Sequence, residues 1–336
     1  MSERNFRIQR FCRQVLQLER QPEFPSGEFL REEATQAEIS QLLNDPQRTN
    51  SGPPPRYKLR IFKDLLTRIE ASIDDWDKYG VNEDIAEAVA ELMASPLPSE
   101  SFEVQQKSYV TYHLSQLEGM VSEKSPAITL FESRSLISQG GTTGLRTWEA
   151  ALHLGDYLCQ NKEEVSGKSI LELGAGTGYL SILTSKYLGA SRVAATDGSD
   201  EVINALSDNF YLNGLQDDRS LMPASLFWGH AIIRPEETAW GADGAIDTVI
   251  GADITYDQRV IPSLVGTLKE LREHFPNIRI IISATQRNED TFRAFAKVCG
   301  NSGFNVKFIE FSGTTMERQT GPFYNTAVPI HIVKLE

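Results

Sequence analysis

The feature that most constrains this chain is an alternation that begins near residue 169 and runs to residue 335. Short apolar runs follow one another at Ser169 to Leu173, Arg192 to Thr196, Leu221 to Trp228, Thr248 to Ala252, Ile278 to Ser283, Val306 to Phe311 and Ala327 to Leu335. Stretches with helical spacing separate the first six. Nearly continuous apolar strands divided by helices predict an α/β domain: a mainly parallel sheet covered on both faces. Only "SGTTMERQTGPFYNT" joins the last two runs. With no crossover helix between them, they are expected to pair as antiparallel neighbours. "ITLFESRSLIS" reads as strand, and Trp148 to Leu158 as a helix in front of the first run.

The first hundred residues have a different pattern. Thr35-Gln36-Ala37-Glu38 has the form of a capping box ahead of Ile39, Leu42 and Leu43. "DPQRTNSGPPPR" breaks the pattern, and Leu59, Phe62, Leu65, Leu66, Ile69, Ile73 and Trp76 then recur at helical spacing. Asn82 is placed to cap a further helix through Ile85, Val89 and Leu92. From Phe102 to Ser125 the pattern fits helix and strand equally. A chain of 336 residues exceeds the roughly 250 to 300 at which single cores stop growing. Two domains are expected, a mainly helical one over 1–125 and the α/β one over 126–336.

A formal net charge of -13 argues against a protein that binds by neutralising phosphates, so no direct nucleic-acid contact is expected. The opening residues lack the apolar run of a secretory signal, and no stretch has the roughly 18 apolar residues of a membrane span. Cys12, Cys159 and Cys299 are odd in number and lack metal-site spacing. They point to a reducing cytoplasm and to no metal.

"ILELGAGTG" ends the first strand in a glycine turn at Gly174, Gly176 and Gly178, preceded by Glu172. Such a turn brings backbone N–H groups close to a ligand. The spacing departs from the G-x-G-x-x-G of dinucleotide binders, and no Lys-Ser or Lys-Thr follows to make a phosphate loop. An acid at the strand end suits a cationic group instead. Asp197, about 20 positions on, stands where an acid accepts both ribose hydroxyls, while Asp200 is expected to cap the next helix. Trp228 can stack on a purine or pack in the core, and Trp148 can equally be core. Asp253 and Tyr256, in "GADITYD", lie where the fourth strand opens onto a ligand crevice, although Asp253 can also begin a turn and cap "QRVIPSL".

Six alternating strands, a final hairpin and E-x-G-x-G together resemble the seven-stranded class I methyltransferase fold over roughly residues 128 to 336. That resemblance implies S-adenosylmethionine as cofactor. D-x-x-Y, "TGLRTWEAA" and "ELGAGTG" narrow it to the family-16 protein methyltransferases, where D-x-x-Y marks the protein-lysine branch. The resemblance implies cofactor contacts from Trp148, Glu172, Gly174, Ala175, Gly176, Asp197, Trp228 and Ala252, with Asp253 and Tyr256 at the reacting amine. Further likeness in "GTTGLRTWEAALHLGDYL", "ATQRNEDTF", "FYNTAVPIHIVKL" and the N-terminal helical part implies translation elongation factor 2 as protein substrate, methylated to trimethyl-lysine. It also leaves the N-terminal part to grip that substrate or merely to cap the sheet, and a monomer is favoured.

A lysine amine has a free lone pair only when deprotonated, against an ordinary pKa of about 10.4. A carboxylate alone would raise that value, so Asp253 is expected to orient the amine, with desolvation and proton loss to water supplying the nucleophile. Three rivals remain at this point. A dehydrogenase is disfavoured by the glycine spacing and the terminal hairpin. A small-molecule or nucleic-acid methyltransferase is disfavoured by D-x-x-Y in place of N-P-P-Y. A non-catalytic adaptor is disfavoured by the intact acids and glycines.

Overall fold

A computed structural model describes residues 2–44, 52–99, 106–133, 143–230 and 246–336. Contacts divide the chain into two units. One is Met1–Ser115, Ser125–Leu136 and Gln319–Phe323; the other is Gln116–Lys124, Ile137–Arg318 and Tyr324–Glu336. This division replaces a single cut at 125/126 with an exchange of segments, because strand pairing and buried polar contacts recruit residues distant in sequence.

The first unit carries helices α1 (Glu3–Leu16), α2 (Gly27–Leu30), α3 (Glu33–Leu43), α4 (Pro55–Ser72) and α5 (Glu83–Ala94). Apolar residues at helical spacing, including Ile8, Phe11, Ile39, Phe62, Leu65, Ile69 and Ile85, form its core. Asn82 caps α5 as expected, accepting the Asp84 N–H at 3.1 Å. The capping box at Thr35 is not formed. Helix α3 begins two residues earlier, and the Thr35 hydroxyl accepts from Arg4 Nε at 2.9 Å inside the unit. Part of "DPQRTNSGPPPR" lies outside the described residues, as does the end of "ITLFESRSLIS".

Of the ambiguous stretch, 102–105 lie outside the described residues, and the remainder contains β1 (Ser108–His113) and a 3-10 turn at Ser115–Leu117. β1 pairs antiparallel with β2 (Ala127–Glu132) as a separate two-stranded sheet. Tyr112 donates its hydroxyl to Glu132 Oε1 at 2.8 Å, which satisfies a fully buried carboxylate. Helix α1 also buries a polar stripe of Arg10, Arg13, Gln14 and Gln17. The backbone of 319–323 answers it: Arg10 donates to Gln319 O, Arg13 to Thr320 O at 3.0 Å, and the Phe323 N–H donates to Gln17 Oε1 at 2.8 Å. Buried polar groups left unpaired are costly, so this exchange explains why a C-terminal segment belongs to an N-terminal helix.

In the second unit seven strands form one sheet in the order β5-β4-β3-β6-β7-β9-β8. They are β3 (Ser169–Leu173), β4 (Arg192–Asp197), β5 (Leu221–Ser225), β6 (Thr248–Ala252), β7 (Arg279–Thr285), β8 (Val306–Ile309) and β9 (Ile330–Leu335). The first five pair in parallel, whereas β9 inserts antiparallel between β7 and β8. Helices α6 (Glu149–Gln160), α7 (Tyr179–Ile182, continuing as a π turn through Tyr187), α8 (Asp200–Leu212), α9 (Ile261–His274) and α10 (Glu289–Asn301) accompany it. Ile170, Leu171, Val249, Ile250, Ile281 and Ile282 are fully buried, as a sheet covered on both faces requires. The connection after β3 crosses to β4 on one side, and β6 joins on the other. The order therefore reverses at β3, and ligand crevices open beyond the carboxyl ends of strands at such a switch point.

Candidate active site

β3 delivers the chain to Gly174 and Gly176, whose φ angles of 64° and 55° lie in the left-handed region that side chains avoid. A Cβ at Gly174 would sit 2.7 Å from Ile254 Cγ2, and one at Gly176 would sit 3.1 Å from the carbonyl oxygen of Gly144. The Ala175 N–H donates to Thr196 O at 2.8 Å, tying the turn to β4. Glu172 ends up behind the turn and buried, accepting the Ser181 hydroxyl. Burial pushes its carboxyl up to about 8, with Ser181 opposing and nearby Asp197 adding a smaller push.

Asp197 is the last residue of β4. Its Oδ2 accepts the Gly176 N–H at 3.3 Å and its Oδ1 the Ser199 N–H at 3.1 Å, so the carboxylate is held between the two turns. Burial raises its pKa, and these N–H groups oppose the rise. Asp200 is not a cap: it is the first helical residue of α8, and Ser199 occupies the cap position without a side-chain bond. The turn held by Asp197 moves the helix start one residue upstream of where the acid could cap it.

β5 stops at Ser225, short of the expected Trp228, which lies in the following turn. The indole leans over Gly174, 3.4 Å from where a Cβ would be, and also packs against the sheet core. Phe227, half exposed, lies beside Gly198 in the same way. Trp148 is not ordinary core. It stands just before α6, donates its indole N–H to Thr143 O at 3.1 Å, and has the Arg146 and Arg287 guanidiniums over its ring at 4.8 and 4.9 Å.

Beyond Ala252, at the end of β6, Asp253 adopts φ 53°, an uncommon conformation for a residue with a side chain. Its N–H donates to Ser283 O at 2.8 Å, and its carboxylate accepts from Thr285 N–H at 2.8 Å, Thr285 Oγ1 at 3.1 Å and Arg287 Nη2 at 3.1 Å. Strain of this kind persists where surrounding contacts over-determine it, a frequent property of functional sites. Asp253 does not cap α9, whose first helical residue is Ile261. Tyr256 is 57% exposed, and Thr143 Oγ1 donates to its hydroxyl at 3.5 Å.

The residues expected at the cofactor and the amine line one cleft of about 890 Å³ at the carboxyl edge of the sheet, whereas Gly178 faces Leu206 and Phe210. Thr285, Arg287 and Glu149 were missed. The first two lie in or beside "ATQRNEDTF", but 34 residues separate Arg287 from Asp253 and nothing local marks the pair. Among the described residues no group of His, Cys, Asp and Glu could hold a metal ion.

A cleft of this size accommodates an adenosine with an amino acid tail. The glycine turn leaves backbone exposed where side chains would block, the Asp197 carboxylate stands beside it, and the rings of Trp228 and Phe227 lie next to Gly174 and Gly198. Strand order and cleft define a class I methyltransferase whose methyl donor is S-adenosylmethionine. Residues 129–299 match the lysine methyltransferase family. Protein-lysine N-methyltransferase EFM3 of Chaetomium thermophilum is 52% identical over 335 residues, spanning 100% of this chain and 99% of that one. EFM3 of Saccharomyces cerevisiae is 33% identical over 198 residues, spanning 54% and 56% of the two chains. Human EEF2KMT is 33% identical over 189 residues, spanning 53% and 56%. The chain belongs to the lysine methyltransferase family.

Proposed function

We propose that this protein methylates a lysine of translation elongation factor 2, to the trimethyl level, in the cytoplasm. The observation that carries this reading is the convergence of Asp253 and Tyr256 on the cleft that also holds the glycine turn and Asp197. Kinship with EFM3 and EEF2KMT supports the target. Free thiols at Cys12, Cys159 and Cys299 fit a reducing compartment, and among the described residues no helix is long and apolar enough to cross a membrane.

S-adenosylmethionine supplies an electrophilic methyl group on a sulfonium. In this reading Asp197 takes the ribose hydroxyls, Trp228 and Trp148 supply aromatic walls, and Gly174, Ala175, Gly176 and Ala252 give the close floor. Glu172, at the back of the cleft, braces the turn through Ser181. Asp253, held rigid by Thr285, aligns the amine, and the Tyr256 ring favours the positive charge shared by donor and product. The helical unit, with its own core, is assigned to gripping the protein substrate.

The test is to incubate the protein with labelled S-adenosylmethionine and an extract of cells lacking the enzyme, then map the label by mass spectrometry. Trimethyl-lysine on elongation factor 2 is the expected result. Label in RNA or a small molecule, or on a different protein, overturns it.

A further inference from the structure

The Asp253 carboxylate, expected from sequence to orient the substrate amine beside Tyr256, already has a cation next to it. Arg287 Nη2 lies 3.1 Å from Asp253 Oδ2 and 3.2 Å from Glu149 Oε2. Its guanidinium carbon stands 4.9 Å from the centre of the Trp148 ring. Arg146 holds the opposite end of Glu149 at 3.4 Å. Glu149, Asp253, Arg146 and Arg287 thus form a cluster with two charges of each sign. Asp253 is nearly buried while Arg287 is 43% exposed, and Glu149 holds the arginine independently of Asp253.

The remaining charged groups at this end of the cleft change little. Arg259 is paired with its neighbour Asp257 at 2.6 Å and its side chain is 90% exposed. Tyr256 presents its ring. Without Arg287 an entering ammonium would meet Asp253 and Glu149 opposed only by Arg146, and opposite charges favour the protonated, non-nucleophilic amine. A second cation close by favours the neutral amine, a recognised way of activating lysine.

Resting on the lysine-methyltransferase reading above, we propose that Arg287 is a positioning residue with an electrostatic task. Anchored by Glu149 and stacked on Trp148, it offsets the Asp253 charge so that the carboxylate orients the substrate amine without holding its proton. The proton leaves to water through the open side of the cleft. The nitrogen lone pair then forms the bond to the methyl carbon as the carbon–sulfur bond breaks, and that bonding pair remains on sulfur.

The experiment is the pH–rate profile of lysine methylation in the enzyme-free extract, for wild type, R287K and R287M. R287M is expected to move the acid limb upward by about one pH unit, which makes it about tenfold slower near neutrality with the deficit closing at alkaline pH. R287K should keep the wild-type profile. Donor binding, measured by calorimetry, should hold in both. A deficit in R287M that is equal at every pH, or a profile that does not move, overturns the inference and leaves the lysine-methyltransferase reading intact. No lysine label with the wild type overturns both.

Discussion

Tyr324 donates its phenolic hydrogen to Asp156 Oδ2 across 2.8 Å, joining the segment before β9 to the middle of α6 inside the catalytic unit. The His153 ring packs edge-on against the same tyrosine, with Nδ1 3.3 Å from its hydroxyl. Burial raises the Asp156 carboxyl from 3.8 to about 7, with the Tyr324 hydrogen bond opposing the rise. The folded state therefore keeps a proton that the unfolded chain has lost, and the stability this confers falls as pH rises between those two values. Asp156→Asn retains an acceptor for Tyr324 and removes the ionisation. Thermal denaturation at about pH 5 and about pH 8 should show a larger drop for wild type than for the variant. Glu172, also raised by burial, contributes equally to both proteins and cancels in the comparison.

Asp197→Ala should weaken donor binding before anything else. Two hydrogen bonds from ribose hydroxyls to a carboxylate, at about 1.5 kcal/mol each, correspond to about a hundredfold in Kd. Calorimetry with S-adenosylmethionine measures this directly. An unchanged Kd would remove the ribose from Asp197.

Gly174→Ala places a methyl 2.7 Å from Ile254 Cγ2 at a φ of 64°. Left-handed backbone costs a side-chain-bearing residue about 1–2 kcal/mol, and the contact adds to it. The variant should melt earlier and bind the donor poorly, as followed by calorimetry and circular dichroism. A variant with the melting temperature and affinity of wild type would show that the turn can move aside.

Asp253→Ala should separate chemistry from binding. Loss of alignment at the amine is expected to cost at least about a hundredfold in kcat, while donor affinity, which depends on the other side of the cleft, holds. Equal loss of both would mean that Asp253 supports the cleft rather than the substrate. Tyr256→Phe keeps the ring and loses only a long hydrogen bond to Thr143, so it should stay near wild type. Tyr256→Ala should lose severalfold in kcat/KM, on the scale of about 1 kcal/mol for a partly exposed cation–π contact.

Much of the catalytic unit was legible beforehand because its signals are local. A buried strand is an apolar run, a glycine turn is three residues with no side chain, and D-x-x-Y sits within four positions. The strand cores form where expected, although β5 stops at Ser225 and β9 begins only at Ile330, and Gly174, Gly176, Asp253 and Tyr256 line the cleft. Local signals failed where a distant group intervened. Arg4, 31 residues away, takes the Thr35 hydroxyl that was expected to cap α3, and the turn around Asp197 moves the start of α8 upstream, onto Asp200 itself. Helical spacing left Trp148 open between core and site; two arginines from different segments stand over its ring at the cleft.

By itself the sequence determined which segments of the catalytic unit become strand or helix, where backbone is bare enough to meet a ligand, and which acids stand at strand ends, since these depend on residues within a turn of one another. Only the tertiary structure decided which charges meet. It set β9 between β7 and β8, gave the polar face of α1 a partner some 300 residues away, and brought Arg287 to Asp253. The reason is physical: a buried charge takes whichever partner the folded chain carries to it, and that choice is made in space, where separation along the sequence has no bearing.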